Sequence, residues 1–152
     1  MLEESPTAFG SDLESALTLP LSHFRERTTD NPENFIIGGF HSGQLIATTG
    51  AFRETALKRR HITTIVGMFV RPEHRRKGLG RDLLRSVLDR ISQLPLLECI
   101  QLAVTVGNDD ALALYKNMDF EVYGREPAAL KVAGINYDQS LLALALNQTP
   151  AT

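Results

Sequence analysis

Residues 71–84 read RPEHRRKGLGRDLL. Five of the first seven are basic or histidine, and Gly78 and Gly80 then flank one leucine. From Leu79 the apolar residues recur at Leu83, Leu84, Val87, Leu88 and Ile91, one stripe of an amphipathic helix. Upstream, HITTIVGMFV (61–70) is a β-branched strand that ends at Arg71-Pro72. A strand, a basic glycine-bearing loop and a helix start therefore follow one another. The first turn of such a helix has N–H groups without intrahelical partners, and the macrodipole adds about half a positive charge there. Glycine lets a ligand approach that backbone. Arg75, Arg76, Lys77 and Arg81 surround it with cations, so phosphate or pyrophosphate is the natural occupant.

Working outward, NFIIGGF (34–40) and QLIATTGAF (44–52) form a hairpin across His41-Ser42-Gly43. ALKRR (56–60) reads as loop. Beyond the helix, Pro95 marks a boundary, and ECIQLAVTV (98–106) is a mostly apolar run, typical of a strand covered on both faces. Asn108 is a good N-cap, with Asp109 and Asp110 on the first turn of a short helix that buries Ala111, Leu112, Tyr115 and Met118. FEVYG, ALKV and YDQSLLALAL supply further strand-like segments to the C-terminus. Residues 11–28 read as two short helical pieces parted at Pro20. A strand–helix–strand unit of this length forces parallel strands. The expected fold is α/β, a mixed sheet with an antiparallel N-terminal half and a central parallel pair.

The chain has 152 residues and a formal net charge of −2, so the basic stretch is a local exception on a mildly acidic background. One domain spanning 1–152 is expected. Cys99, the only cysteine, excludes an intramolecular disulfide and reads as a small buried residue. No run approaches the roughly eighteen apolar residues of a membrane span, and MLEESPTAFGSDLES is acidic rather than signal-like. A cytoplasmic location without a membrane partner is the expectation.

Three phosphate-site patterns compete. GxxxxGK[ST] fails, because no Gly-Lys-Ser/Thr occurs. GxGxxG fails at its third glycine, which is Leu83. The third, R/Q-x-x-G-x-G/A, is met by Arg75-x-x-Gly78-x-Gly80, and with it the chain resembles the GNAT superfamily of N-acetyltransferases. Residues 104–124, VTVGNDDALALYKNMDFEVYG, resemble that superfamily's next motif, with Asn108, Ala111, Leu114, Tyr115 and Phe120 in register. Asp119 stands where the family usually has glycine; aspartate tolerates left-handed dihedrals better than most residues. The likeness covers roughly residues 34 to 146.

The resemblance implies acetyl-CoA as co-substrate, an amine acceptor and no metal. The pantetheine arm would lie between splayed strands 62–70 and 98–106, bonded by the backbone of Met68, Phe69 and Val70. The pyrophosphate would rest on the amides of Arg76, Lys77, Gly78, Leu79, Gly80 and Arg81, next to Arg75, with Asn108 as a further contact. Tyr115 matches the usual acid for the departing thiolate; read alone, it is a packing tyrosine on an amphipathic helix. Many members carry glutamate on the central strand, and from Gly67 that position is Thr64, which cannot serve as base. His61, Glu54, Glu126 or a relaying water remain. By the same resemblance Glu126, Lys131, Tyr137 and Asp138 would line or frame the acceptor side; alternatively, Tyr137 and Asp138 only start the last strand.

Two other functions fit parts of the sequence. A non-catalytic acyl-CoA-binding or regulatory domain would keep the loop without the chemistry. A nucleic-acid patch would use the seven cations, but the two glycines have no role in it and no zinc or stacking-aromatic pattern accompanies them. Members usually begin with an edge strand and a full first helix, whereas this sequence starts inside that helix. A homodimer or weak aggregation through an exposed sheet edge is the resulting expectation.

Overall fold

A computed structural model describes residues 3–9, 13–22, 25 and 31–146. Strands β1 (Asn34–His41) and β2 (Gln44–Arg53) form the expected hairpin. Its two turn residues, Ser42 and Gly43, both have positive φ (49° and 76°), the conformation whose twist matches a two-residue hairpin. Next come β3 (Ile62–Val70), helix α2 (Leu79–Ile91), β4 (Cys99–Thr105), helix α3 (Asp109–Lys116), β5 (Glu121–Val132) and β6 (Ile135–Ala145). Helix α1 (Leu13–Thr18) is the first of the two helical pieces expected in 11–28. The second lies largely outside the described residues, although Leu21, Ser22 and Arg25 are helical. The strand order is β1-β2-β3-β4-β6-β5, all antiparallel except β3 and β4, as the sequence predicts.

FEVYG and ALKV are strand as expected and belong to one strand, β5, which runs through Gly124 and Pro127 with register shifts at Val122/Gly124 and Glu126/Leu130. Proline, lacking an N–H, is tolerated at a bulge on an edge strand, and β5 is an edge of the sheet.

The α2 stripe explains the core. Leu84, Val87 and Ile91 are buried with Phe35, Ala51, Ile65, Ile100 and Leu102, and Leu83 is buried as well. Each of these side chains larger than alanine contributes roughly 1.5–3 kcal/mol on leaving water. At the closed end of the sheet lies Arg53, 5% exposed. Its guanidinium donates to Glu33 Oε1 (2.9 Å), Arg60 O (2.6 Å) and Pro95 O (2.6 Å), tying β2 to two loops. Arg60 Nη2 shares the Glu33 carboxylate at 2.7 Å.

The parallel pair makes the functional geometry. β3 and β4 register only at Ile62↔Cys99, Thr63↔Ile100 and Thr64↔Gln101. Beyond these, β4 continues along β6 while β3 stays with β2, and the two diverge. β3 also carries an extra residue, because Gly50 faces Val66 whereas Thr48 already faces Phe69. This bulge includes Gly67 at φ 64°, and Thr48 Oγ1 donates to the Gly67 carbonyl at 2.9 Å. A bulge turns later side chains to the opposite face. Ile65 accordingly joins the α2 core, while Phe69 packs on Phe9 with ring centroids 6.2 Å apart.

Candidate functional site

Where β3 and β4 part, the surface opens into a cleft of about 790 Å³. Met68, Phe69 and Val70 form one wall and Asn108 lies on another. The N-terminus of α2 projects into it. Gly78 occupies the cap position at φ 82°, where a Cβ would lie 3.3 Å from Arg81 Nη2, and no side chain caps the helix. The first helical bond runs from the Asp82 N–H to the Gly78 carbonyl, so the amides of Leu79, Gly80 and Arg81 precede the ladder. Gly78 and all three of those residues line the cleft.

The cations divide by position. Arg75 lines the cleft, but its Nε donates to the Val70 carbonyl (2.8 Å) and its guanidinium sits 5.8 Å from the Phe69 ring, which ties the loop to its strand. Arg76, left-handed at φ 58°, reaches to 3.8 Å from Asp110 on α3. Both partners are largely exposed, so this pair contributes little. Lys77 does not line the cleft; its Nζ turns back to the Glu73 carbonyl at 3.1 Å.

A second cavity of about 80 Å³ sits in the gap between the strands, walled by Ile65–Met68 on β3 and Leu102–Thr105 on β4. It shares Ala8, Phe9, Met68, Thr105, Asn108 and Ala111 with the cleft. Tyr115 lines this smaller cavity and not the larger one. Both ends of α3 fix that tyrosine. Asn108 Oδ1 caps the first turn through the Ala111 N–H. At the other end Asp119 is left-handed at φ 67°, and the Phe120 N–H reaches back to the Tyr115 carbonyl at 3.1 Å. The Phe120 ring, 2% exposed, then meets the Tyr115 ring edge-on at 5.8 Å. Burial pushes the Tyr115 phenol well above its ordinary value, so it stays protonated and has a proton to donate.

A parallel strand pair that splays at a bulge and faces a glycine-opened helix N-terminus is a specific arrangement, and the sequence agrees with it. Residues 2–120 match the acetyltransferase (GNAT) family. The chain belongs to that family. Over 110 residues it is 31% identical to the N-alpha-acetyltransferase RimI of Mycobacterium tuberculosis, covering 71% of this chain and 65% of that protein. It is 29% identical over 82 residues to an L-methionine sulfoximine/L-methionine sulfone acetyltransferase of Pseudomonas aeruginosa, covering 54% of this chain and 47% of the relative. The match thus spans less than two thirds of either relative. Among solved structures, yncA from Salmonella typhimurium, a putative acetyltransferase with its cofactor acetyl-CoA, superposes with a TM-score of 0.78. The identity is 17%, over 99% of this chain and 88% of that one. The ribosomal-protein-alanine N-acetyltransferase of Brucella melitensis gives 0.73 at 18% identity, over 90% and 80%. These likenesses show the fold.

Within this GNAT site the base candidates lie apart from both cavities. Thr64, at the position where many members carry glutamate, pairs with Gln101 at the last rung before the splay. His61 directly precedes β3 at the closed end, where its carbonyl accepts from Glu98 and Cys99 N–H. Glu54 is held by Arg59 at 3.2 Å. Neither of these nor Glu126 or Lys131 lines a cavity, whereas Tyr137 lines the large cleft. Sequence reasoning missed the N-terminal segment: Glu4–Phe9 lines the cleft, with a 3₁₀ turn at Pro6–Ala8, and Thr105 Oγ1 donates to the Thr7 carbonyl. Its one signal was Phe9, an aromatic in an otherwise polar stretch.

Asp138, next to Tyr137, pins the β5 bulge. Its carboxylate accepts from the Ala128 N–H (2.8 Å) and Arg125 Nε (2.8 Å), and its carbonyl accepts from Val106 at the end of β4. The Ala128 N–H, and after it Arg125, hold the carboxyl below its ordinary value. A depressed carboxyl stabilises above its unfolded value and loses that contribution as pH falls through the folded one. Asp138→Asn should therefore melt below wild type at pH 7, with the gap closing below about pH 4. A gap that persists unchanged to about pH 2.5 would show that the charge is not responsible.

Proposed function

We propose that the chain transfers an acetyl group from acetyl-CoA to a primary amine by direct attack. The observation that carries this reading is the uncapped N-terminus of α2, opened by Gly78 into the cleft between the diverging β3 and β4. The amides of Leu79, Gly80 and Arg81 suit a pyrophosphate, and the edge of β3 past Thr64, no longer paired to β4, suits an amide-bearing arm added like a strand. Acetyl-CoA supplies the activated carbonyl. An uncharged amine adds at that carbonyl carbon, the C–S bond breaks, and the amine gives up a proton to water. Tyr115 donates its phenolic proton to the departing sulfur and is reprotonated from water before the next turnover. A phenol raised this far cannot protonate a free, solvated thiolate, so the transfer is concerted with cleavage inside the small cavity, where the sulfur is desolvated as well. The matched relatives are named for acetylating an N-alpha amino group and methionine sulfoximine, which supports an amine as acceptor.

The test has two arms. Thermal unfolding with acetyl-CoA at a hundred times its dissociation constant should add about 2.7 kcal/mol. That is roughly 5–11 °C for a chain of this size. ATP or sulfate at matched ionic strength should give much less. A thiol-release assay over a panel of amines, amino acids and peptide N-termini should then find an acceptor. Stabilisation without thiol release from any amine would replace this reading with a non-catalytic acyl-CoA-binding domain; equal stabilisation by all anions would remove the coenzyme.

A further inference from the structure

The sheet has two edges, and only one carries the usual defences against pairing with another chain. β5 is interrupted by register shifts at Val122/Gly124 and Glu126/Leu130, contains Pro127, and bears Glu121, Arg125, Glu126 and Lys131. β1, at the other end of the strand order, reads NFIIGGFH, without a proline, lysine, arginine, aspartate or glutamate. The register shift in its hairpin places the extra residue, Ile46, on β2 and leaves β1 uninterrupted.

The outward side of β1 follows from its pairing. The Arg53 N–H donates to the Glu33 carbonyl, and the direction of the backbone polar groups alternates along a strand. The odd-numbered residues therefore turn theirs to β2, while those of Ile36, Gly38 and Phe40 point away from it. No strand among the described residues pairs with them. The side chains of the same three positions share the sheet face opposite α2. Phe35 packs in the α2 core and a Cβ at Gly39 would lie 3.6 Å from Leu79, whereas a Cβ at Gly38 would meet Leu45 and Phe40. On that face Ile36, Phe40 and Leu45 are 39%, 69% and 44% exposed. An apolar stripe thus runs alongside an unpaired ladder.

We propose that β1 pairs antiparallel with β1 of a second copy of this chain, about a two-fold axis, and joins two six-stranded sheets into one. Symmetry favours a second copy as the occupant. In a two-fold pairing each residue near the axis meets itself or a close neighbour, so a charged edge would face its own charge. β1 has no such charge to oppose itself. Ile36 and Phe40 of the two copies would instead extend one apolar stripe across the joint. Strands of eight residues make a small interface, so a dissociation constant on the order of 10 µM is expected. The cleft end of β1 is at His41, because Gly39 pairs with Ala47 and Ala47 with Val70. Antiparallel pairing would set His41 near the partner's Asn34, so the two clefts open at opposite ends of the joint and each copy keeps a complete site. The proposal is independent of the acetyl-CoA reading, which stands whether or not the copies pair.

Two measurements test it. Light scattering from about 1 µM to about 500 µM should carry the mass of the full chain from 16.8 kDa towards twice that value. Ile36→Lys and Phe40→Lys place a charge on the joint, and each should raise the dissociation constant at least about tenfold. The double variant should stay monomeric throughout. Its thermal midpoint, compared with wild type at about 1 µM where both are monomers, checks that it folds. Amide exchange needs no variant: on wild type the Ile36, Gly38 and Phe40 N–H should slow at least about fivefold over the same concentration range, and the amides of β5 should not. Wild type that remains at 16.8 kDa at about 500 µM would overturn the proposal and leave this edge to a chain of different sequence. A double variant that associates like wild type would overturn it too, as would an association that leaves exchange at Ile36, Gly38 and Phe40 unchanged.

Discussion

Replacing Tyr115 with phenylalanine should lower turnover about 10²-fold while leaving the acetyl-CoA thermal shift within error of wild type. The ring, not the hydroxyl, makes the packing contacts: Tyr115 is 5% exposed and stacks edge-on against Phe120 in the core. Phenylalanine keeps those contacts and removes only the proton. Because burial raises the phenol above its ordinary value, the group is protonated throughout the working range. The loss should therefore be the same at every pH below about 9, rather than confined to one limb of the profile. Turnover and coenzyme affinity are to be measured side by side. If the variant binds acetyl-CoA as poorly as it turns over, Tyr115 is a packing residue and not the acid.

Arg53→Ala should cost about 3 kcal/mol, the low end for removing one member of a buried charge pair. The corresponding drop in midpoint is roughly 6–12 °C. The low end applies because Glu33 keeps Arg60 as a partner and its side chain is 29% exposed. The Pro95 and Arg60 carbonyls lose their donor outright. The consequence reaches the site. Arg53 holds the end at which β3 and β4 are still paired, and the opening at the other end depends on that hinge staying shut. Urea unfolding would measure the loss, and a change below about 1 kcal/mol would show that the guanidinium is replaceable by water.

Much of this arrangement can be read in the sequence because it is local. The run Arg71–Leu84 carries its own start signal and periodicity, and Asn108 with two following acids announces α3. Asp119 in the usual glycine position is left-handed, as the sequence suggested. What escaped is set by distance or by counting. ITTIVGMFV is apolar or β-branched on both faces, so alternation gives no sign of the extra residue at Gly67. Arg53 resembles any surface cation at a strand end until Glu33, Arg60 and Pro95 converge on it. Gly124 and Pro127 are breakers in local terms, yet β5 passes through them because Asp138, ten residues beyond Ala128, accepts the hydrogen bond that holds the bulge. Pro6–Phe9 reaches the site through contacts far away in sequence, Phe9 with Phe69 and Thr7 with Thr105.

The bulge in β3 makes the site a matter of arithmetic as much as of chemistry. Drift at Met68 changes one side chain and leaves the frame intact, whereas at Gly67 the positive φ strains any side chain. Loss of either residue would let β3 pair with β2 without interruption and turn everything after it over by one face. Phe69 would leave Phe9 for the helix core, Val70 would leave Gly80, and the basic loop would arrive about 3.3 Å early. In an evolving lineage this stretch would accept many spellings and only one length.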